Sequence, residues 1–141
     1  MQLLDVNLLV SLAWSNHVHH RPALDRFHRR RGAPWATPLL TEVGPVRVSS
    51  NLSAISTQVT PREALTMLER IRRVPGHRFI EDDLELVVGP HLGSGLVATH
   101  RQVTDAHLLA LARRHGGRLA TFDRGIAALD GGEDVELVPT G

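Results

Sequence analysis

The chain has 141 residues, 42% of them hydrophobic and 22% charged, which is the composition of one globular domain rather than of a disordered protein. The absence of cysteine excludes a disulfide framework and a thiolate metal site. Sixteen basic residues, all of them arginine, and fifteen acidic residues give a formal net charge of +1, and no apolar run is long enough to span a bilayer. We therefore expect a single domain over residues 1–141, located in the cytoplasm and not in a membrane.

Apolar residues recur with two different periods along the chain, which predicts strands that alternate with helices. In chain order the prediction is a strand over 2–4, helices over 7–15 and 20–31, a strand over 35–37, helices over 38–51 and 61–73, a strand over 78–80, helices over 84–92 and 104–115, and strands over 118–122 and 135–138. The clearest helix start is Thr60-Pro61-Arg62-Glu63, where Thr60 and Glu63 can form a capping box. Such alternation is typical of an α/β fold, with a parallel sheet covered on both faces.

Four carboxylates lie at the ends of these predicted elements. Asp5 and Asp123 end apolar strands, whereas Glu42 and Asp105 lie in the first turns of helices. Because ligands of an open parallel sheet bind outside the carboxyl ends of its strands, we expect the four side chains to converge on one rim. Clustered acids repel one another and raise some of their pKa values unless a divalent cation neutralises them. The sequence therefore predicts a metal-dependent enzyme, and oxygen ligands favour Mg²⁺ or Mn²⁺.

Arginines close to these acids indicate a phosphodiester substrate. Arginine binds phosphate in a bidentate manner, and an acidic site ringed by Arg47, Arg101 and Arg124 suits a nucleic acid, although an all-arginine basic set also follows from a GC-rich genome. Each acid has a structural alternative, because acids also cap helices and occupy turns. Asn7 likewise either orients Asp5 for substrate binding or caps the helix that follows.

Three histidines close together, His17, His19 and His20, invite a metal interpretation. No cysteine or nearby acid completes a zinc site, so we expect these histidines to pack around the second helix or to contact RNA at the rim. The aromatic residues are expected in the core rather than as base-stacking platforms: Trp14, Phe27 and Trp35.

Four segments resemble the PIN-domain proteins of the VapC type, the toxin halves of bacterial VapBC toxin–antitoxin pairs. These are Leu-Leu-Asp-Val-Asn at 3–7, Thr-Glu-Val-Gly-Pro-Val-Arg at 41–47, Val-Thr-Asp-Ala-His-Leu-Leu-Ala-Leu-Ala at 103–112 and Gly-Gly-Arg-Leu-Ala-Thr-Phe-Asp-Arg-Gly at 116–125. They follow the family's order and together span essentially the whole chain. The resemblance implies a PIN-like three-layer α/β/α sandwich with a parallel central sheet, and an Mg²⁺- or Mn²⁺-dependent endoribonuclease.

The same resemblance implies roles for individual residues. The acidic quartet would be Asp5, Glu42, Asp105 and Asp123. Arg47 would be the basic residue that accompanies Glu42, although Pro45 departs from the usual pattern, and a kink there would displace Arg47 more than Glu42.

The resemblance also implies three partners: an RNA substrate (a tRNA, rRNA or mRNA), a cognate VapB-type antitoxin that directs a basic side chain toward the acids, and a second copy of the chain. An apolar face for such a homodimer is available around Leu8, Leu12 and the stripe over 64–71. The alternative is that this stripe belongs to the core.

A metal-activated water, with Asp5, Asp105 and Asp123 as metal ligands, would attack the phosphate in line and leave 5′-phosphate and 3′-hydroxyl ends. Asn7, Arg47 and Arg124 are the candidates for substrate binding. Two other functions stay open. One is a catalytically idle PIN module that binds RNA or a partner protein, and the other is an Asp-x-Asp phosphatase, which asparagine at position 7 disfavours.

Overall fold

Five parallel strands form one sheet in the computed structural model of the chain, which describes residues 1–49, 59–85 and 103–140. The elements are β1 (Gln2–Leu4), α1 (Val6–Ala13), α2 (His20–Arg29), β2 (Trp35–Pro38), α3 (Leu39–Ser49), α4 (Pro61–Arg72), β3 (His77–Ile80), α5 (Val103–Arg114), β4 (Arg118–Thr121), α6 (Arg124–Asp130) and β5 (Val135–Leu137). The strand order is β3-β2-β1-β4-β5, and every pairing is parallel. The predicted α/β class is thereby confirmed.

Apolar side chains on the two faces of the sheet form two separate cores. Leu3 of β1 and Leu119 of β4 pack with the apolar residues of α5 and with Ile126 of α6. Their strand neighbours Leu4 and Ala120 point the other way and pack with residues of α1, α2 and α4. Because adjacent strand residues face opposite sides, this division confirms the three layers, α/β/α.

The capping box at the start of α4 forms as predicted. The Thr60 hydroxyl accepts a hydrogen bond from the Glu63 backbone N–H at 3.2 Å, and the Glu63 carboxylate accepts one from the Thr60 backbone N–H at 3.1 Å. The helix that follows buries Ala64 and Leu68. Leu68 lies in the same core as Leu8 of α1.

This packing places part of the dimer face expected around Leu8, Leu12 and the stripe over 64–71 inside the monomer. Leu8 is buried within the monomer, and Leu12 and Ile71 pack against its core as partly buried neighbours. Leu65, within the same stripe, is 55% exposed, so part of the expected face is open to solvent and the dimer interface stays a prediction.

Helix α6 was not predicted. It has seven residues, begins after Asp123 as N-cap and ends at Gly131 in the left-handed conformation, with φ of 74°. A helix this short, with Gly125 in its first turn, gives no usable apolar period. The helix predicted over 84–92 lies outside the described residues except for its first two positions, which are not helical.

The packing of α1 against α3 requires a glycine. A Cβ atom at Gly44 would lie 2.2 Å from Cγ1 of Val6, so the two helices approach closely only because residue 44 lacks a side chain. Helix α3 continues through Pro45 to Ser49. In the described ranges, no helix is long and apolar enough to cross a membrane.

Candidate active site

Three aspartates come together beyond the carboxyl ends of the central strands. Asp5 directly follows β1, Asp123 lies two residues after β4, and Asp105 lies in the first turn of α5. The side chains of Asp105 and Asp123 share a hydrogen bond, and the charges of Asp5 and Asp123 both act on Asp105. The structure therefore brings three of the four predicted acids to one rim of the sheet.

Asp5 is held by two hydrogen bonds although it is almost fully buried. One carboxylate oxygen accepts from the Leu8 backbone N–H at 2.7 Å, which makes Asp5 the N-cap of α1. The other accepts from the Thr121 hydroxyl. Burial raises the pKa of Asp5 to about 6; the two hydrogen bonds oppose that increase and the charge of Asp123 adds to it. The alternative in which Asn7 caps α1 is wrong, because Asp5 occupies that position.

Thr121 connects two of the aspartates and was not among the predicted site residues. Its hydroxyl donates to Asp5 and accepts from the backbone N–H of Asp123 at 2.9 Å. The side chain is fully buried at the end of β4. The sequence signal was the pattern Thr-x-Asp over 121–123, a hydroxyl two residues before the acid at a strand end.

Asp123 is fixed by the helix that follows it. Its Oδ1 accepts hydrogen bonds from the backbone N–H groups of Gly125, at 2.7 Å, and Ile126, at 3.3 Å. These two hydrogen bonds hold the Asp123 carboxylate at the N-terminus of α6. The reading of Asp123 as a plain turn acid is thereby corrected: it is an N-cap.

Asp105 carries the largest pKa shift of the cluster. Burial, followed by the negative charges of Asp5 and Asp123 and the hydrogen bond to Asp123, raises the pKa of Asp105 to about 8. A hydrogen bond between two carboxyl groups requires a proton on one of them. The raised pKa of Asp105 places that proton on Asp105 at neutral pH.

Glu42 is buried in a different set of contacts. Its Oε1 accepts a hydrogen bond from the Thr37 hydroxyl at 2.7 Å and lies 3.5 Å from Nε of Arg72 and 4.0 Å from Nε2 of His77. Burial, and then the charge of Arg72, lowers the pKa of His77, which favours the neutral imidazole. These contacts of Glu42 are thus with residues of β2, β3 and α4, and its place in the acidic quartet stays a prediction.

A cleft of about 590 Å³ opens beside the aspartates. Its lining residues are Val6, Asn7, Leu40, Val43, Gly44, Arg47, Val48, Thr104, Asp105 and Asp123. Two of the three residues predicted to bind substrate, Asn7 and Arg47, are therefore beside the acids. Arg124 is exposed at the start of α6, next in sequence to Asp123 but not in this lining, and Arg101 lies outside the described residues.

The chemistry of the three aspartates suits a hard divalent cation. They offer only oxygen ligands, and the raised pKa values of Asp5 and Asp105 show that buried negative charge in this place needs either protons or a cation. Within the part of the chain that the structure describes, no group of three or more His, Cys, Asp or Glu side chains is already arranged as a metal cage. Mg²⁺ is usually bound by one or two carboxylates together with water and phosphate.

The three histidines before and at the start of α2 pack against neighbouring groups. The rings of His17 and His19 lie 5.9 Å apart, and His19 lies 5.1 Å from the ring of Phe122. His20 Nδ1 is 2.7 Å from the backbone oxygen of Ser11. These contacts support the packing interpretation. Of the aromatic residues predicted as core, Trp35 is buried and Phe27 contacts it edge to face at 5.0 Å.

Comparison with known proteins assigns this fold and site to a family. Residues 3–132 match the PIN domain. Ribonuclease VapC39 of Mycobacterium tuberculosis is 47% identical over 125 residues, which cover 89% of this chain and 90% of VapC39. Ribonuclease VapC38 of the same organism is 47% identical over 129 residues, covering 92% and 89%. Ribonuclease VapC29 is 39% identical over 140 residues, covering 98% and 96%.

A solved structure agrees in fold. The crystal structure of Mycobacterium tuberculosis VapC20, a toxin that cleaves the sarcin–ricin loop, aligns with a TM-score of 0.65 over 99% of this chain and 100% of VapC20, at 16% sequence identity. Fold and family match together define a PIN-domain protein. Within that family the chain belongs to the VapC ribonucleases, which are toxin endoribonucleases, and the resemblance seen in the sequence is confirmed.

Proposed function

We propose that the chain is a metal-dependent endoribonuclease that acts in the cytoplasm as the toxin of a toxin–antitoxin pair, cutting RNA so that translation and growth stop. The observation that carries the proposal is the cluster of Asp5, Asp105 and Asp123 at one rim of the sheet, where burial, and then the neighbouring charges, raises the pKa of Asp5 and of Asp105. A divalent cation would neutralise such a cluster of carboxylates.

Asp5, Asp105 and Asp123 would hold Mg²⁺ or Mn²⁺. The bound ion supplies an acidified water and polarises a phosphate oxygen. The chain's own groups prepare this site: Thr121 and the N-terminus of α1 orient Asp5, and the N-terminus of α6 orients Asp123. Asp105 must release its proton to become a ligand, because a carboxyl binds a cation through its ionised form.

Arg47 and Asn7 would position the RNA. Both line the cleft that Asp105 and Asp123 share, and Arg47 is exposed, so its guanidinium can bind a backbone phosphate in a bidentate manner. Arg124, the residue after Asp123, would contact the RNA strand on the other side of that aspartate. In-line attack by water would leave 5′-phosphate and 3′-hydroxyl ends. A role for Glu42 in catalysis stays a prediction, since its contacts are with Thr37 and Arg72.

The partner that would silence this site is an antitoxin of the VapB type. Leu39, Leu40 and Val43 are exposed on α3, and two of them line the cleft. An antitoxin segment with apolar side chains would bury them, and an arginine in that segment would pair with the aspartates in place of a cation. A homodimer also remains a prediction; of the face first expected for it, Leu8 is buried and Leu65 is exposed.

Expression in a bacterial host tests the toxin. Wild-type chain should arrest growth, and Asp5→Asn should abolish the arrest at equal protein level, because the amide removes one negative ligand. Arg29→Ala, a change on the exposed side of α2 away from the cleft, serves as a control that should still arrest growth. Normal growth with all three proteins, and intact cellular RNA, would favour the idle module that only binds RNA or a partner protein.

A further inference from the structure

Phe79 is the one strongly exposed aromatic ring among the five Phe and Trp residues of the chain, all of which lie within the described ranges. Its exposed fraction is 46%, whereas the other four side chains are buried or half-buried. About half of the Phe79 side chain is therefore open to solvent.

The position of Phe79 relates it to the candidate active site. It lies on β3, an edge strand in the described sheet, opposite Thr37 of β2, the residue whose hydroxyl donates to Glu42. Strand β1, which Asp5 directly follows, is the next strand along. Since neighbouring strands are about 4.8 Å apart, β3 lies on the order of 10 Å from β1. The ring and the aspartates therefore occupy the same end of the sheet, at a separation that a short single strand of RNA can span.

Arg72 connects the ring to Glu42. The carbon at the centre of its guanidinium lies 5.4 Å from the centroid of the Phe79 ring, and its Nε lies 3.5 Å from Glu42 Oε1. The Arg72 side chain is 44% exposed. Glu69, on the same helix, is already paired with Arg73 at 2.6 Å. An accessible arginine over an aromatic ring combines a phosphate-binding group with a stacking surface.

We propose that Phe79 and Arg72 form a base-stacking site for single-stranded RNA at the β3 end of the rim. The inference rests on the proposed ribonuclease function and extends it: a base near the cleaved phosphate stacks on the Phe79 ring, and Arg72 binds a neighbouring phosphate. Unpaired bases stack on aromatic side chains and on arginine planes, and this contact tolerates many sequences because every base has a π face. The site therefore selects unpaired RNA rather than a particular sequence.

Binding measured without cleavage tests the site. The probe is fluorescein-labelled oligo(A) RNA of about twelve nucleotides, and its anisotropy is followed with the Asp123→Asn protein, which cannot cut it. Adding Phe79→Leu keeps an apolar side chain but removes the ring, and should weaken binding about tenfold. Adding Phe79→Trp should preserve or strengthen binding. The matched control is Leu137→Ala on β5, an exposed apolar residue at the other edge of the sheet, which should leave binding unchanged.

Three outcomes would overturn the stacking site. The first is equal affinity for the probe of the Asp123→Asn protein with and without Phe79→Leu. If the wild-type chain still cleaves RNA, that result would reject this inference and leave the ribonuclease proposal intact. A lower molecular mass of the Phe79→Leu protein by light scattering would show that the ring contacts a second copy instead. Wild-type chain that neither binds the probe nor cleaves any RNA would reject the proposed function together with the stacking site.

Discussion

Asp105 retains a proton at neutral pH because its carboxyl is largely buried between two others. Its pKa rises from 3.8 to about 8, first through burial and then through the charges of Asp5 and Asp123. When the pKa of a group is higher in the folded protein than in the unfolded chain, protonation of that group favours folding. Its contribution to the free energy of unfolding is complete at a pH below the lower of the two pKa values. That contribution is lost as the pH rises to the higher value, here between pH 3.8 and about pH 8.

Replacing Asp105 by Asn removes this titration. In EDTA we expect Asp105→Asn to exceed the wild type in free energy of unfolding at pH 8, by on the order of 1 kcal/mol or more, and to differ less at pH 5. Urea unfolding at both pH values measures the difference. Asp25→Asn, which alters an exposed acid paired with Arg21, is the control and should show little dependence on pH. A wild-type protein that does not lose stability relative to Asp105→Asn as the pH rises would contradict the clustering of the aspartates.

Thr121 is expected to act through the aspartates that it positions. Thr121→Val keeps the shape but removes the hydroxyl, and should lower RNA cleavage about 10- to 100-fold and raise the metal concentration needed for half-maximal activity. Thr121→Ser retains the hydroxyl and should recover most of the activity. If Thr121→Val needed no more metal than the wild type, the hydroxyl would have no part in the site.

The sequence identified the aspartates but not the residues that hold them. Asp5, Asp105 and Asp123 could be found because each follows a strand or begins a helix, a position that one segment reveals by itself. Thr121 lies 116 residues from the carboxylate it contacts, and only the pairing of β1 with β4 brings the two together. The surroundings of Glu42 were equally hidden, since His77 comes from β3 and Arg72 from α4.

At the scale of elements, the contact of α1 with α3 sets the geometry of the rim, because α1 begins at Asp5 and α3 carries Glu42 and Arg47. Gly44→Ala would place a Cβ atom 2.2 Å from Cγ1 of Val6. We expect the variant to be destabilised by about 1 to 3 kcal/mol, measured by thermal unfolding. Adding Val6→Ala should restore part of that loss, and a Gly44→Ala protein as stable as the wild type would show that the helices have room to separate.

Helices with strong local signals were predictable and short ones were not. The capping box of Thr60 and Glu63 fixed the start of α4 to the residue, because both of its hydrogen bonds are local. Helix α6 was not predicted because its seven residues lie between Asp123 and the pair Gly131 and Gly132, and these flanking residues are typical of a turn. The stripe over 64–71 was recognised as apolar, but a single sequence cannot distinguish burial within a chain from burial between chains.

At the scale of the whole molecule, the fold concentrates negative charge at one end of a chain whose net charge is only +1. A ligand that binds the folded protein but not the unfolded chain raises its stability. We expect Mg²⁺ or Mn²⁺ to raise the melting temperature, with about 2 to 3 kcal/mol gained at a hundredfold excess over the dissociation constant. Asp123→Asn should remove most of the increase. Equal responses of wild type and Asp123→Asn to metal, by differential scanning fluorimetry, would locate the binding elsewhere.

Cleavage of RNA by purified protein tests the central claim most directly. Wild-type chain incubated with total cellular RNA should produce discrete fragments with 5′-phosphate and 3′-hydroxyl ends in Mg²⁺ or Mn²⁺, and none in EDTA. Asp123→Asn, purified in the same way and shown by circular dichroism to be folded, should produce no fragments under either condition. Cleavage that continues in EDTA, or an Asp123→Asn protein as active as the wild type, would contradict a catalytic site built on these aspartates.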